Sequence, residues 1–213
     1  MIEKIKQIFK IRDLRKSILY ILGMIVIFRI AAHIPVPGIN LENLKEFFAS
    51  NQILGLINVF SGGSMENFSV VAMGVGPYIT ASIIFQLLVM IVPRLEALSK
   101  EPGGYQKINH WTRYLTVPLA ALQGYAMVMM LRQQSSFKII DSLSTFDLAV
   151  TIITLTAGTI FLMWIGELIS ERHIGNGISL LIFAGIVANL PGVLQKSLAV
   201  FDPAQIMNLV IFL

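Results

Sequence analysis

The stretch FSVVAMGVGPYITASIIFQLLVMIVP, residues 68–93, carries no charge over its whole length and is broken near its start by Gly74, Gly76 and Pro77. About 20 apolar residues cross the hydrocarbon of a bilayer, so the stretch is long enough to span one. Backbone inside lipid must satisfy its own hydrogen bonds, and Gly and Pro interruptions at that depth are tolerated where neighbouring protein or water takes up the freed groups. The pattern predicts a helix that lines something rather than a passive anchor.

The rest of the chain has the same character. Hydrophobic residues make up 55% and charged residues 13%, with a mean hydropathy of +0.76, which excludes a soluble globular domain and predicts an all-α polytopic membrane protein. There are no cysteines, so a disulfide framework, thiol catalysis and thiolate metal sites are excluded. Charge-free intervals predict spans at about 17–34, 74–93, 114–131, 148–167 and 177–195, preceded by a cytoplasmic segment 1–16. Residues 203–213 read as the start of a truncated sixth span, about half the length a crossing needs. Val128 reads as a lipid-facing position on the third span.

The first span is too long for a signal-peptide core, contains Arg29 and is followed by IPVPG rather than a small-residue cleavage site, so it reads as retained. Lys and Arg cluster in 4–16, in 94–113 and at Arg172, whereas the opposite loops hold only Lys45, Arg132, Lys138 and Lys196. The excess of cations in short loops predicts a cytoplasmic amino terminus.

Pro35 to about Met73 is too long for a turn and should contain structure of its own. Within it, ILGLINVFSGGSMENFS carries an apolar run closed by Gly62 and Gly63, too short to span. An interfacial helix, an external cap and a re-entrant plug are the alternatives. Arg29 is either a functional intramembrane charge or a snorkelling one near a helix end. Glu167, Glu171, Arg172 and His173 read as a solvated turn with pairing inside the loop, and Gly175 and Gly177 around Asn176 as a tight turn into the fifth span.

No HExxH or nucleophile elbow is present, EPGGYQK at 101–107 lacks the spacing of a phosphate loop, and His33, His110 and His173 lie in separate segments. No enzymatic activity, cofactor or metal site is expected. A small-solute transporter half would need polar groups converging at mid-membrane, which these spans scarcely offer. A scaffold or insertion factor without a pore gives no reason for the break at Gly74 to Pro77.

Four ordered strings carry a family likeness: IFRIAAHIPVPGIN at 27–40, NVFSGGSMENFSVVAMGVGPYITASIIFQLL at 58–88, KINHWTRY at 107–114, and GTIFLMWIGELISERHIGNGISLLIFAGIVANLP at 158–191. They closely resemble the amino-terminal half of the bacterial SecY family, over essentially all 213 residues. The resemblance implies a protein-conducting channel in the bacterial cytoplasmic (inner) membrane. This chain would be the amino-terminal five-helix half of a ten-helix pseudo-symmetric fold, whose paired halves enclose a midplane site. Implied partners are SecE and SecG, the SecA ATPase or translating ribosome as the energy source, signal peptides and unfolded polypeptides, and membrane lipid. Nucleic-acid binding is not expected of this half.

The resemblance also assigns residues. Val75, Ile79, Ile178 and Ile182 would form the pore ring, and each pair is spaced i, i+4 as an inward-facing collar requires. Val75 stands where the family often has Ile, leaving the collar slightly wider. A branched apolar collar fits loosely around any side chain and hinders water and ions by poor wetting. Leu56 to Phe68 would be a short re-entrant plug helix, with Phe60, Ser61, Gly62, Gly63, Ser64, Met65, Glu66 and Asn67 in the seal and the glycines permitting its motion. Asn58, Thr80, Ile83, Gln86 and Leu87 would lie on or near a lateral gate for signal sequences. Small and hydroxyl residues at Thr80, Ala81 and Ser82 would allow close approach and weak interhelical bonding there. Half the collar and the opposing gate wall would come from the other half of the family's fold.

Overall fold

The computed structural model describes residues 12–51, 58, 61–133, 139 and 144–199, with backbone alone at 190 and 192–199. The described residues form seven helices: α1 (Arg12–Ala31), α2 (Leu41–Ser50), α3 (Gly76–Ile91), α4 (Pro93–Lys100), α5 (Gly104–Gln133), α6 (Thr145–Ser170) and α7 (Gly177–Ala199). Among them there is no strand, only an isolated antiparallel bridge between Pro35 and Ser69. The chain is an all-α polytopic membrane protein. α5 and α6 are each long and apolar enough to cross a membrane, and α3 with α4 qualifies only as a pair bent by 101°.

Local chemistry sets the boundaries. Asn40 caps α2 by accepting the Glu42 and Asn43 N–H groups at 3.1 and 3.3 Å, and the helix buries Leu44, Phe47 and Phe48 on one face. This amphipathic helix lies in the segment for which the sequence predicted structure of unstated kind. Pro77 falls in the first turn of α3, where its missing N–H costs nothing. The Gly and Pro cluster therefore starts the helix instead of kinking it. Pro93 opens α4 after extended Val92. Ser144 and Asp147 close a capping box at the start of α6.

The core has two parts. One joins α2, Phe68 and Ala72, the end of α5, Ile139 and Leu155. The other joins α1, Val71 and Val75, the second half of α6, and Leu181 of α7. α5 buries Gly104, Ile108, Thr112, Thr116, Ala120, Gly124 and Val128, a strict four-residue repeat. Val128 is 0% exposed, which corrects its reading as lipid-facing: the repeat turns it onto Phe68, Ala72 and Leu155. Thr112 and Thr116 donate their hydroxyls to the carbonyls of Ile108 and Thr112, so the stripe holds no unsatisfied hydroxyl at either position.

Before α3, the described residues 61–75 cross the interior without a helix. Residues 61–68 form successive turns, where a helix was expected across 56–68; positive φ at Gly62, Gly63 and Phe68 is incompatible with helix continuation. Leu56 and Phe60 lie outside the described residues, as do 1–11 and the expected sixth span at 203–213. Buried irregular backbone needs partners. Val36 N–H donates to Phe68 O and Val70 N–H to Ile34 O, both at 2.9 Å, and Ser69 N–H to Ser64 O at 3.0 Å. Gly158 of α6 admits this strand-like crossing: a Cβ there would overlap the Val70 carbonyl.

Candidate functional site

α3 and α7 face one another across two cavities. The first, about 610 Å³, is walled by polar groups that include Gln86, Asn109, Arg113, Glu167, Glu171 and Asn176, with Ile178 also in its lining. The second, about 650 Å³, is lined mainly by apolar side chains, among them Val75 and the methionines Met65, Met73, Met127 and Met130. Ile79 and Ile182 border both. Two branched apolar side chains thus border both a cavity with many polar lining groups and a mainly apolar one.

The four predicted ring residues occupy different depths. Val75 is buried in the second core cluster, Ile178 and Ile182 are half-buried against the same cluster, and Ile79 is 36% exposed. Ile178 is set by the α6–α7 junction. Gly166 lies so close to it that a Cβ would overlap its side chain, and a Cβ on Gly177 would overlap the Gly166 carbonyl. Ser170 Oγ accepts Gly177 N–H at 2.8 Å and donates to Gly166 O at 2.9 Å. Asn176 caps α7 by accepting Ser179 N–H at 3.2 Å, consistent with the tight turn expected there.

Ile83 and Leu87 continue the exposed stripe of α3 beyond Ile79, at 51% and 52% exposure. Thr80 donates to Gly76 O at 3.1 Å and Gln86 Nε2 to Ser82 Oγ at 3.2 Å, both within α3. The hydroxyls and amide of this helix are therefore satisfied locally, and Ala81 supplies the close approach, being buried. Asn58 sits apart from that stripe: its amide donates to Glu66 Oε2 at 2.8 Å and accepts Glu66 N–H at 3.0 Å, tying the turn segment to itself. Ser61 and Ser64 donate to Asn58 O and Ser61 O.

The charged cluster at the end of α6 pairs across elements, which corrects the expectation of pairing inside the loop. Arg113 Nε of α5 lies 2.5 Å from Glu167 Oε1, an ion pair without an aligned N–H acceptor. The Arg172 guanidinium stacks 4.0 Å from the Tyr20 ring centroid of α1. Glu167 lies one turn before the helix end, and helical phase turns it to α5 instead of the loop. On the opposite side, Arg29 Nη1 donates to Gly62 O at 2.7 Å, a contact that spacing could not reveal. The α2 helix was legible in the Asn40 cap followed by apolar residues at 41, 44, 47 and 48.

These features define a class: a helical membrane protein with an exposed apolar stripe on α3 beside two adjoining cavities. The SecY family model matches residues 69–213. The chain is 46% identical over 206 residues to the protein translocase subunit SecY of Streptomyces coelicolor, covering 91% of this chain and 47% of that protein. The same-named subunits of Aquifex aeolicus and Mycobacterium tuberculosis are 43% and 47% identical, over 90% and 84% of this chain and 46% and 43% of theirs. The chain belongs to the SecY family, and it spans about half the length of the curated relatives it matches.

Proposed function

We propose that this chain forms the amino-terminal wall of a protein-conducting channel. The channel passes unfolded secretory polypeptides across the bacterial cytoplasmic membrane and releases membrane segments laterally into it. The observation that carries this reading is the sharing of Ile79 and Ile182 by both cavities. Two branched apolar side chains at a constriction seal against ions by poor wetting yet offer no fixed hydrogen bond to a passing chain.

In this reading Val75, Ile79, Ile178 and Ile182 are half of the pore collar, residues 61–67 belong to the plug, and the α3 stripe of Ile79, Ile83 and Leu87 with Thr80 and Gln86 forms one gate wall. Asn58 acts through the plug, given its bonds to Glu66. The five helices α1, α3, α5, α6 and α7 span the membrane, with the basic loops and amino terminus cytoplasmic. The partners the family resemblance implies are SecE, SecG, and SecA or a translating ribosome, which supply the energy. The chain itself carries no catalytic step.

The test uses the absence of native cysteine. Single cysteines are placed at 79 and at the strongly exposed Ile153 of α6, in a channel completed by the carboxy-terminal half. A stalled secretory chain is expected to crosslink to 79 and to leave 153 at background. Equal labelling, or none at 79 in an assembled channel, overturns the reading.

A further inference from the structure

Arg29 is a cation within the outer turns of α1, and among the described residues no carboxylate lies within ion-pair distance of it. Glu66, the acidic group of the neighbouring turn segment, is engaged by Asn58 instead. The guanidinium donates to a main-chain oxygen, Gly62 O, at 2.7 Å, and is partly buried there. Gly62 is held from the other side as well: a Cβ on it would stand 3.0 Å from Gly185 Cα of α7 and 3.4 Å from Arg29 Nη1. A Cβ on Gly63 would meet the Asn189 side chain at 3.3 Å. The glycine pair is therefore clamped between α1 and α7, with positive φ at both residues fixing the turn that aims the carbonyl.

Resting on the plug reading of residues 61–67, we propose that Arg29 is the positioning residue that latches this segment shut. A guanidinium at this depth needs an acceptor, and a carbonyl in a turn needs a donor. Each satisfies the other only while the segment is seated. The bond is single and charge-assisted, strong in a dry surrounding and weak once water competes. A chain that enters and wets the apolar cavity bordered by Ser61 and Met65 both displaces the segment and offers Arg29 alternative hydration, so release is coupled to occupancy. His33 Nδ1, 2.7 Å from Arg29 O, fixes the last turn of α1 under the latch.

The experiment measures ion conductance of the complete channel in planar bilayers, idle and again with a stalled secretory chain inserted. The ratio of chain-occupied to idle conductance reports the seal. Arg29→Met is expected to lower that ratio about tenfold by raising idle leak, while the chain-occupied value stays constant because the segment is already displaced. Arg29→Lys, which keeps a donor, is expected to restore part of it. Gly62→Ala, which forces a Cβ onto Gly185, is expected to lower the ratio too, and the double variant to add little, since both break one clamp. An unchanged ratio in Arg29→Met overturns the latch; if that variant does not assemble, an unchanged ratio in Gly62→Ala overturns it. Deletion of 61–67 separates the two readings: leak on deletion without leak in Arg29→Met removes the latch alone, whereas no leak on deletion removes the plug reading beneath it.

Discussion

The α5–α6 seam and the outward stripe of α3 are built from similarly apolar residues, yet they end in opposite states. Along the buried stripe of α5 every fourth residue is small or hydroxylated at its middle, Thr112, Thr116, Ala120 and Gly124, and Gly124 meets the wholly buried Leu155 of α6. Along α3 the same four-residue step carries Ile79 and Ile83, which remain exposed. In a membrane, helices gain nothing by hiding oil from oil, so association depends on how closely backbones can approach. Small residues close a seam, and branched ones leave the α3 surface open.

The largest break in that contrast comes from Gly158, whose Cα face meets the Val70 carbonyl. Gly158→Leu is expected to cost upwards of about 3 kcal/mol through forced displacement of backbone, and to abolish assembly in a thermal solubility assay in detergent. Next comes a paired truncation. Leu155→Ala at the 0% exposed seam position should lower stability by roughly 2–4 kcal/mol, whereas Ile83→Ala on the open stripe should stay within about 0.5 kcal/mol. Equal losses in urea or thermal unfolding would erase the distinction between seam and stripe.

The smallest effect belongs to Glu96 of α4, outside both regions. The Lys100 ammonium, 2.6 Å from Glu96 Oε1, holds the Glu96 carboxyl below its ordinary value by hydrogen bonding and by charge. A lowered folded-state value means the contribution is present above the ordinary carboxylate range and lost as pH falls through the lowered value. The pair is solvent-exposed, so Glu96→Gln should leave the unfolding midpoint at neutral pH unchanged within error and slightly flatten its acid limb. A clear midpoint loss would show that α4 is a structural brace.

Much of the helical plan was legible because charges and apolar runs alternate on a scale of about 20 residues, the thickness of the hydrocarbon. Among the described residues, helices overlap the five charge-free intervals at 17–34, 74–93, 114–131, 148–167 and 177–195, and the sixth, at 203–213, lies outside them. Three things were not legible. The resemblance implied a helix across 56–68, but residues 61–68 turn instead, with positive φ at Gly62, Gly63 and Phe68 and backbone bonds that join 68–70 to Ile34 and Val36. Val128 resembles any lipid-facing valine until the phase of the α5 stripe is known. The partners of Arg113, Arg172 and Arg29 lie 54, 152 and 33 positions away along the chain, beyond any helical spacing rule. Within the candidate site, the pairs at 75/79 and 178/182 could be placed on common faces by arithmetic, but their sharing of one constriction required the packing of α7 against α6.

The Arg29 contact ends on a main-chain oxygen, an atom that every residue type possesses. On the proposed latch, side-chain identity therefore matters unevenly across this segment. Ser61, Ser64, Met65 and Asn67 can be exchanged over evolutionary time without removing the acceptor, provided the turn keeps its shape. On the proposed latch, the constraint falls on the two glycines and the one arginine, so the side chains between them are free to tune the strength of the seat while the same hold is kept.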